Sequence, residues 1–287
     1  MRLIRFGAPG EERAGAMIGE TTALDLGEHL PAIDHRFWAG GGFDQVHRLI
    51  ELHGPQLTRV DTTQVRLGPP IAKPYQVLCV GLNYADHAVE SGMAIPDEPI
   101  IFNKAPGTVV GPNDDVLLPI GGEKTDWEVE LAVVIGRQAR YLPDETTAAA
   151  CIGGYAISND VSERAFQLER GGQWVKGKSC ETFNPLGPWL VSPDEIADPG
   201  RLDMELSVNG ERVQSGSTST MVFGVPYLIW YLSQFLVLEP GDVVNTGTPP
   251  GVGLGMDPPR YLKEGDVMEL RIPGLGAQRQ VVRAATL

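Results

Sequence analysis

Two glutamates, Glu128 and Glu130, lie one residue apart in the sequence Trp127-Glu-Val-Glu-Leu-Ala-Val-Val-Ile135. If this β-branched run is a strand, both carboxylates point to one side, because strand side chains alternate between faces. Its apolar residues favour burial, and two like charges this close repel, so a cation is expected between them. Oxygen ligands select a hard divalent ion, Mg²⁺, Mn²⁺ or Ca²⁺, over zinc. The alternative is a solvated strand face, since acidic residues are rarely buried.

Asp160 follows the predicted strand Tyr155-Ala-Ile-Ser158. A strand end can deliver a carboxylate into the floor of a pocket, so Asp160 is a candidate third oxygen ligand. The alternative is that Asp160 caps a helix beginning at Val161-Ser-Glu-Arg164.

His87 and Glu90 lie three residues apart in Asn83-Tyr-Ala-Asp-His-Ala-Val-Glu90, which reads as a short helix. This spacing places both side chains on one face. Histidine titrates near neutrality, and a carboxylate on its second nitrogen fixes the tautomer, so the pair could be a general base and its orienting group. The alternative is a helical surface ion pair.

Two further segments could contact an anionic ligand. Lys176 and Lys178 lie beside Trp174 in a run with few other charges, and one of them could face the ligand, although a solvated lysine is the default. Residues 245–253, Asn-Thr-Gly-Thr-Pro-Pro-Gly-Val-Gly, offer hydroxyls and close backbone approach, which would suit a bound carboxylate. They lack the lysine and spacing of a phosphate loop, and an ordinary turn is the alternative.

The elements that must position these residues are mostly short strands. The 35 glycines and 23 prolines separate β-branched runs, which predicts a mainly β protein with some α, in a closed or rolled β architecture. Strands are predicted at 76–80, 109–110, 128–135, 154–158, 202–208, 243–246 and 267–272. A proline-rich boundary at 68–74 predicts a small N-terminal α+β region, residues 1–70, with a strand pair and a helix at 43–53, followed by a second, larger domain, residues 71–287.

Composition excludes several classes of partner. The formal charge of −14, from 23 Lys+Arg and 37 Asp+Glu, argues against nucleic acid and anionic membrane surfaces. The most apolar window, 222–238, is short and interrupted, so no membrane span is predicted and a buried helix with Pro226 in its first turn is favoured. Three cysteines without zinc spacing and no signal peptide favour a cytoplasmic location. The predicted partner is a small molecule.

Several motifs in order resemble the fumarylacetoacetate hydrolase family, from about Tyr75 to the C-terminus. They are Gly81-Leu-Asn-Tyr-Ala-Asp-His87, Trp127-Glu-Val-Glu130, Asn159-Asp160, Gly177-Lys178-Ser179, Pro185-Leu-Gly-Pro188 and Thr248-Pro-Pro-Gly251. The chain most resembles a bacterial subgroup often labelled as diketo-deoxy-sugar-acid hydrolase or ureidoglycolate lyase, which is related to acylpyruvate hydrolases and 2-hydroxyhepta-2,4-diene-1,7-dioate isomerases.

The resemblance implies a rolled β-sheet catalytic domain, a homodimer and a bound Mg²⁺ or Mn²⁺. The implied site residues are metal ligands Glu128, Glu130 and Asp160, catalytic residues His87, Glu90 and Lys178, and substrate-binding residues Arg164, Gln167 and Thr248. Lys176 has no counterpart in the family motifs and is interpreted as a surface lysine.

The function expected from these residues is hydrolysis of a carbon–carbon bond in a 2,4-dioxo acid, giving a 2-oxo acid and a carboxylic acid. One alternative is decarboxylation of an oxaloacetate-like acid or isomerisation of a hydroxydienedioate. Another is a non-catalytic, metal-stabilised binding protein. The composition of residues 88–100 suggests a mobile lid over the site.

Overall fold

The computed structural model describes residues 1–90 and 94–287, except for the side chains of residues 87–89. Over these ranges the chain is mainly β with some α, which confirms the predicted fold class. The strands are β1 (Arg2–Phe6), β2 (Arg13–Met17), β3 (Thr22–Asp25), β4 (Arg59–Asp61), β5 (Leu67–Gly68), β6 (Val77–Gly81), β7 (Ile100–Lys104), β8 (Val109–Val110), β9 (Val116–Leu118), β10 (Thr125–Asp126), β11 (Val129–Ile135), β12 (Ile152–Asn159), β13 (Ser162–Glu163), β14 (Asn184–Val191), β15 (Asp203–Val208), β16 (Glu211–Ser217), β17 (Val243–Asn245), β18 (Val267–Ile272) and β19 (Gly276–Ala284).

The helices are short and lie between the strands. They are α1 (His35–Ala39), α2 (Phe43–His53), α3 (Ala85–Glu90), α4 (Glu145–Ala149), α5 (Arg164–Leu168), α6 (Val175–Lys178) and α7 (Val225–Ser233). Pro226 lies in the first turn of α7, as predicted, where its missing N–H costs nothing. No helix in the described part of the chain is long and apolar enough to span a membrane.

The largest sheet has the strand order β4-β3-β2-β1-β14-β12-β11-β17-β6-β7, with β5 paired to β1 and β8 paired to β14. Strand β11 is central and buried along its whole length. Side chains alternate between the two faces of the strand, so Leu131 and Val133 pack in one apolar cluster and Ala132, between them, packs in another. Because both faces of β11 are covered, charged side chains at its N-terminal end are removed from solvent.

Residues 1–70 extend this sheet, since β1 pairs with β14 through Leu3 and Leu190. The region contains five strands where the sequence predicted a strand pair, and α2 has the predicted bounds. The division of the chain at residue 70 stays a prediction.

A second sheet has the order β16-β15-β18-β19-β9. Buried glutamines of β19 join it to the central sheet. Gln278 donates to the carbonyl oxygen of Ile157 at 2.8 Å, and Gln280 accepts from the side chain of Asn159 at 3.1 Å. These bonds fix the end of β12 immediately before Asp160, which contributes a carboxylate to the site.

Candidate active site

Glu128, Glu130 and Asp160 form a buried carboxylate cluster. Strands β11 and β12 are antiparallel, with Val129 opposite Asn159, so the start of one lies beside the end of the other. The backbone N–H of Asp160 donates to the carbonyl oxygen of Glu128 at 2.9 Å. One carboxylate oxygen from each of the three residues lies within 4.8 Å of the others. Neither a solvated strand face nor a surface position describes these buried side chains.

The capping interpretation of Asp160 is wrong. Helix α5 begins at Arg164, and its cap is Glu163, whose side chain accepts from the backbone N–H of Ala165 at 3.2 Å. Asp160 instead accepts from two lysines.

Lys178 bridges two members of the carboxylate cluster. Its Nζ lies 2.7 Å from Glu128 Oε2 and 2.8 Å from Asp160 Oδ2. Burial alone would lower the pKa of Lys178, but the carboxylates of Asp160 and Glu128 raise it above its usual value. The preceding Gly177 permits this position, because a Cβ there would lie 2.4 Å from the carbonyl oxygen of Glu163. Lys176, two residues earlier, is exposed, as its interpretation as a surface lysine predicts.

Lys104 is a second buried cation at this cluster, and it was not among the site residues predicted from the sequence. Its Nζ contacts Asp160 Oδ1 and donates to the carbonyl oxygen of Val161 at 2.9 Å. The available signal was a lysine at the end of the apolar run Ile100-Ile-Phe102, because a lysine buried at a strand end requires a carboxylate partner.

Arg164 and Asp126 extend the charged network. Arg164 Nη2 lies 2.7 Å from Glu128 Oε1, and its Nη1 donates to Gln167 Oε1 at 3.1 Å. The side chain of Asp126 accepts from Arg164 Nε at 2.8 Å and from the backbone N–H of Gly253 at 2.7 Å. Asp126 therefore connects Arg164 to the loop that contains Gly253. Asp126 was not among the site residues predicted from the sequence.

The loop at 247–253 forms the other side of the site. The N–H of Gly247 donates to Glu130 Oε2 at 2.7 Å, and that of Gly251 donates to Glu90 Oε1 at 2.9 Å. The hydroxyl of Thr248 donates to the carbonyl oxygen of Val129 at 2.9 Å and accepts from Gln214 at 2.8 Å. The loop thus holds two carboxylates that the sequence placed in the site.

His87 belongs to α3, as predicted, three residues before Glu90. Its side chain lies outside the described residues, so the pairing with Glu90 stays a prediction. The proposed lid at 88–100 also falls partly outside them. In its described part, Glu98 Oε2 accepts from the hydroxyl of Tyr231 at 2.8 Å.

Charge in the site is not balanced among the described residues. The contacting groups comprise four carboxylates, Asp126, Glu128, Glu130 and Asp160, and three cations, Lys104, Arg164 and Lys178. Burial raises the pKa of Glu130 well above its usual value, and the charges of Asp160 and Glu128 raise it further. A cluster of buried oxygen donors with excess negative charge fits a hard divalent cation.

Four of these charged groups form the floor of a cavity of about 490 Å³, namely Glu128, Glu130, Arg164 and Lys178. Its polar lining consists mainly of Glu128, Glu130, Arg164, Gln167, Lys178 and Thr248, and Glu90 also reaches it. The cavity therefore combines clustered carboxylates with cations and amide or hydroxyl groups, an arrangement suited to binding a small oxygen-rich anion together with a metal ion.

A model of the fumarylacetoacetate (FAA) hydrolase C-terminal domain matches residues 76–283. A protein of Burkholderia multivorans whose name gives no activity more specific than hydrolase is 46% identical over 286 residues, which covers 99% of this chain and 100% of the relative. The chain belongs to the fumarylacetoacetate hydrolase family. Its members include hydrolases and isomerases, so membership by itself does not select one reaction.

Solved structures of similar proteins include both kinds of enzyme. Fumarylacetoacetate hydrolase from Exiguobacterium antarcticum is 36% identical, with a TM-score of 0.84 over 99% of this chain and 100% of that one. Maleylpyruvate hydrolase from Sphingobium, in complex with manganese(II) and pyruvate, is 29% identical, with a TM-score of 0.83 over both whole chains. The 2-hydroxyhepta-2,4-diene-1,7-dioate isomerase from Mycobacterium marinum is 31% identical, with a TM-score of 0.78 over both whole chains.

Proposed function

We propose that this protein is a divalent-metal-dependent hydrolase that cleaves a carbon–carbon bond in a 2,4-dioxo acid. The products are a 2-oxo acid and a second carboxylic acid. The observation that carries the proposal is the buried carboxylate cluster, with Lys178 against it, on the floor of a cavity large enough for a small acid.

The metal ligands in this proposal are Glu128, Glu130 and Asp160, and the ion is Mg²⁺ or Mn²⁺. Oxygen-only donors, and a carboxylate excess that the lysines and arginine of the described site do not balance, both suit such an ion. A bound ion would supply positive charge for the oxygens of the substrate and for the negative charge that develops as the bond breaks.

His87 is assigned as the general base and Glu90 as the residue that orients it. His87 removes a proton from water as the water oxygen attacks the C4 carbonyl carbon. The C3–C4 bond then breaks, C4 leaves as a carboxylic acid, and C3 receives a proton to become the methyl group of a pyruvate-type product. Lys178 Nζ, held between Glu128 and Asp160, stabilises the enolate charge on the departing fragment.

Arg164, Gln167 and Thr248 are assigned to substrate binding. Arg164 is held in place by Asp126 and contacts Gln167, so the two side chains present a fixed polar surface to the cavity. Thr248 would exchange one of its present hydrogen bonds for the substrate carboxylate.

The test is release of pyruvate from acetylpyruvate with Mg²⁺, with Mn²⁺ and with chelator, together with detection of acetate in equal amount. Lys178→Met and Lys176→Met form a matched pair, since both lysines belong to α6 but Lys176 is exposed. We expect metal-dependent cleavage, lost in Lys178→Met and kept in Lys176→Met. Pyruvate release that is indifferent to chelator would reject the proposal, as would equal rates in the two variants.

The isomerase among the similar structures gives a second candidate. Isomerisation of a hydroxydienedioate needs proton transfer but no water attack, and it forms no acid co-product. Absorbance change of such a substrate, without any co-product and without cleavage of dioxo acids, would replace the hydrolase proposal. A homodimer and a cytoplasmic location are part of the proposal through the family resemblance.

A further inference from the structure

The cavity above the charged floor has a side built almost entirely of apolar residues. We call Phe102, Leu168, Trp174, Val252 and Leu254 the apolar wall. Phe102 and Trp174 pack edge to face, with ring centroids 5.2 Å apart. Lys178 Nζ lies 4.9 Å from the centre of the Phe102 ring, so this ring marks the boundary between the floor and the wall.

Gly81 makes room for the aromatic part of the wall. A Cβ at this position would lie 2.7 Å from Cζ3 of the Trp174 ring. The end of β6 and the Trp174 ring can therefore approach closely, and the indole is held at the side of the cavity.

The described lining of the cavity offers a charged tail no cation other than those of the charged floor. Among its described lining residues, the positively charged side chains are Arg164 and Lys178, and both are already bound to carboxylates of the floor. The sequence from Leu82 to Asn103, which includes the residues that the structure does not describe, contains neither lysine nor arginine. Its acidic residues are Asp86, Glu90, Asp97 and Glu98.

We propose that the apolar wall selects a dioxo acid with an uncharged, apolar tail, such as an alkyl or aryl acylpyruvate. This inference rests on the proposed function for the position of the substrate's head group. A terminal carboxylate at the wall would lose water without gaining a partner, whereas each buried methylene of an alkyl tail gains about 0.8 kcal/mol. The site accordingly disfavours dicarboxylic substrates.

Butyrylpyruvate and succinylpyruvate are a matched pair for the test, because they have equal chain length and differ only in a terminal methyl or carboxylate. We expect kcat/KM to be about 100-fold higher for butyrylpyruvate. The reason is that the terminal carboxylate of succinylpyruvate would be an unpaired charge in an apolar pocket. Equal cleavage, or a preference for succinylpyruvate, would overturn the inference.

A designed cation sharpens the test. Leu168 is 46% exposed, so Leu168→Arg should fold, and it places a guanidinium at the wall. The variant should raise kcat/KM for succinylpyruvate by about 5-fold and lower it for butyrylpyruvate, while Leu168→Gln, the uncharged control, should not improve succinylpyruvate. Improvement in both variants, or in neither, would contradict the assigned position of the tail.

Binding separates this inference from the hydrolase proposal. Calorimetry with Mn²⁺-loaded protein would compare 2-oxoheptanoate with 2-oxoheptanedioate, which lack the 4-oxo group and cannot be cleaved. Tighter binding of 2-oxoheptanoate without turnover of any dioxo acid would support the apolar tail and reject the hydrolase. Turnover of dioxo acids with tighter binding of 2-oxoheptanedioate would support the hydrolase and reject the apolar tail. If neither 2-oxo acid bound, both the hydrolase proposal and the apolar-tail inference would be rejected.

Discussion

Two ionic clusters in this protein differ in charge balance, because one is neutral and the other has an excess of carboxylates among the described residues. The N-terminal ion network consists of Arg5, Glu12, Arg66 and Asp114. Glu12 lies 2.9 Å from Arg5 and 3.1 Å from Arg66, and Arg66 lies 2.5 Å from Asp114. Two cations therefore meet two anions. The active-site network instead has four carboxylates and three cations among the described residues.

The pKa values of carboxyl groups in the two networks shift in opposite directions. Burial opposes ionisation of Glu12, but the guanidinium groups of Arg5 and Arg66 hold its pKa below the usual value. At Glu130, burial and the charges of Asp160 and Glu128 all act to raise the pKa. A neutral network satisfies itself and serves the fold, whereas an excess of buried negative charge needs a further cation. This difference distinguishes a structural ion network from a candidate metal site.

Replacement of Glu130 by Gln should have the largest effect on activity. It keeps the size of the side chain but removes the carboxylate that lacks an ion-pair partner among the described residues. We expect kcat/KM to fall by about 1000-fold and Mn²⁺ affinity to fall with it, because several kcal/mol of charge stabilisation depend on the ion. Steady-state cleavage assays and calorimetric Mn²⁺ titration measure the two effects. Glu12→Gln is the control, and comparable loss there would show that charge balance does not separate the networks.

Replacement of Asp126 by Asn should lower activity less, because Asp126 acts only by holding Arg164 in position. Asp126 touches Arg164 and the backbone of Gly253 but does not line the cavity among the described residues. We expect about a 10- to 100-fold loss in kcat/KM, as for other residues that orient functional groups, with Mn²⁺ affinity within about 3-fold of the parent value. Assays over a range of substrate concentrations, with the same titration, check this. Loss of metal binding equal to that of Glu130→Gln would make Asp126 part of the metal site.

The sequence predicted much of this site because its main signals are local. Glu128 and Glu130 are separated by one residue in a β-branched run, and strand alternation fixes their common side without knowledge of the rest of the fold. Asp160 was ambiguous for the same local reason, since an aspartate before a helical segment can be a cap. The structure excludes the cap, because Glu163 caps α5, and the pairing of β11 with β12 places Asp160 beside Glu128.

The residues that the sequence did not reveal are defined by contacts across long separations. Lys104 meets Asp160 across 56 positions, and Asp126 meets Gly253 across 127 positions. The apolar run before Lys104 is a local signal for burial, but neither Lys104 nor Asp126 has a sequence spacing that identifies its distant partner. The central sheet likewise gained residues 1–70 through the pairing of β1 with β14, a register that no local pattern encodes.

The same two glutamates should change stability in opposite directions when no metal is present. Glu130→Gln removes a carboxyl group whose ionisation is opposed by burial and by the charges of Asp160 and Glu128, so we expect the free energy of unfolding to rise by about 1 kcal/mol. Glu12→Gln leaves Arg5 and Arg66 short of a partner, so we expect a fall of about 1–3 kcal/mol. Urea denaturation in the presence of chelator measures both. Changes of the same sign would remove the distinction between the networks.

The smallest expected effect is the pH dependence of the Glu12 contribution. The pKa of Glu12 is lowered in the folded protein, so its stabilising effect is fully present above the unfolded-state pKa of about 4.3 and is lost as the pH falls through the folded-state pKa. The difference in the free energy of unfolding between the parent protein and Glu12→Gln should therefore be constant from neutral pH down to about pH 5 and shrink below it. Glu205→Gln is the control, because Glu205 forms an exposed ion pair with Arg212 and should change stability by less than about 0.5 kcal/mol at any pH. If this difference in the free energy of unfolding grew on acidification, the N-terminal ion network would not favour the charged form of Glu12. The contrast between Glu12 and Glu130 would then be wrong for Glu12.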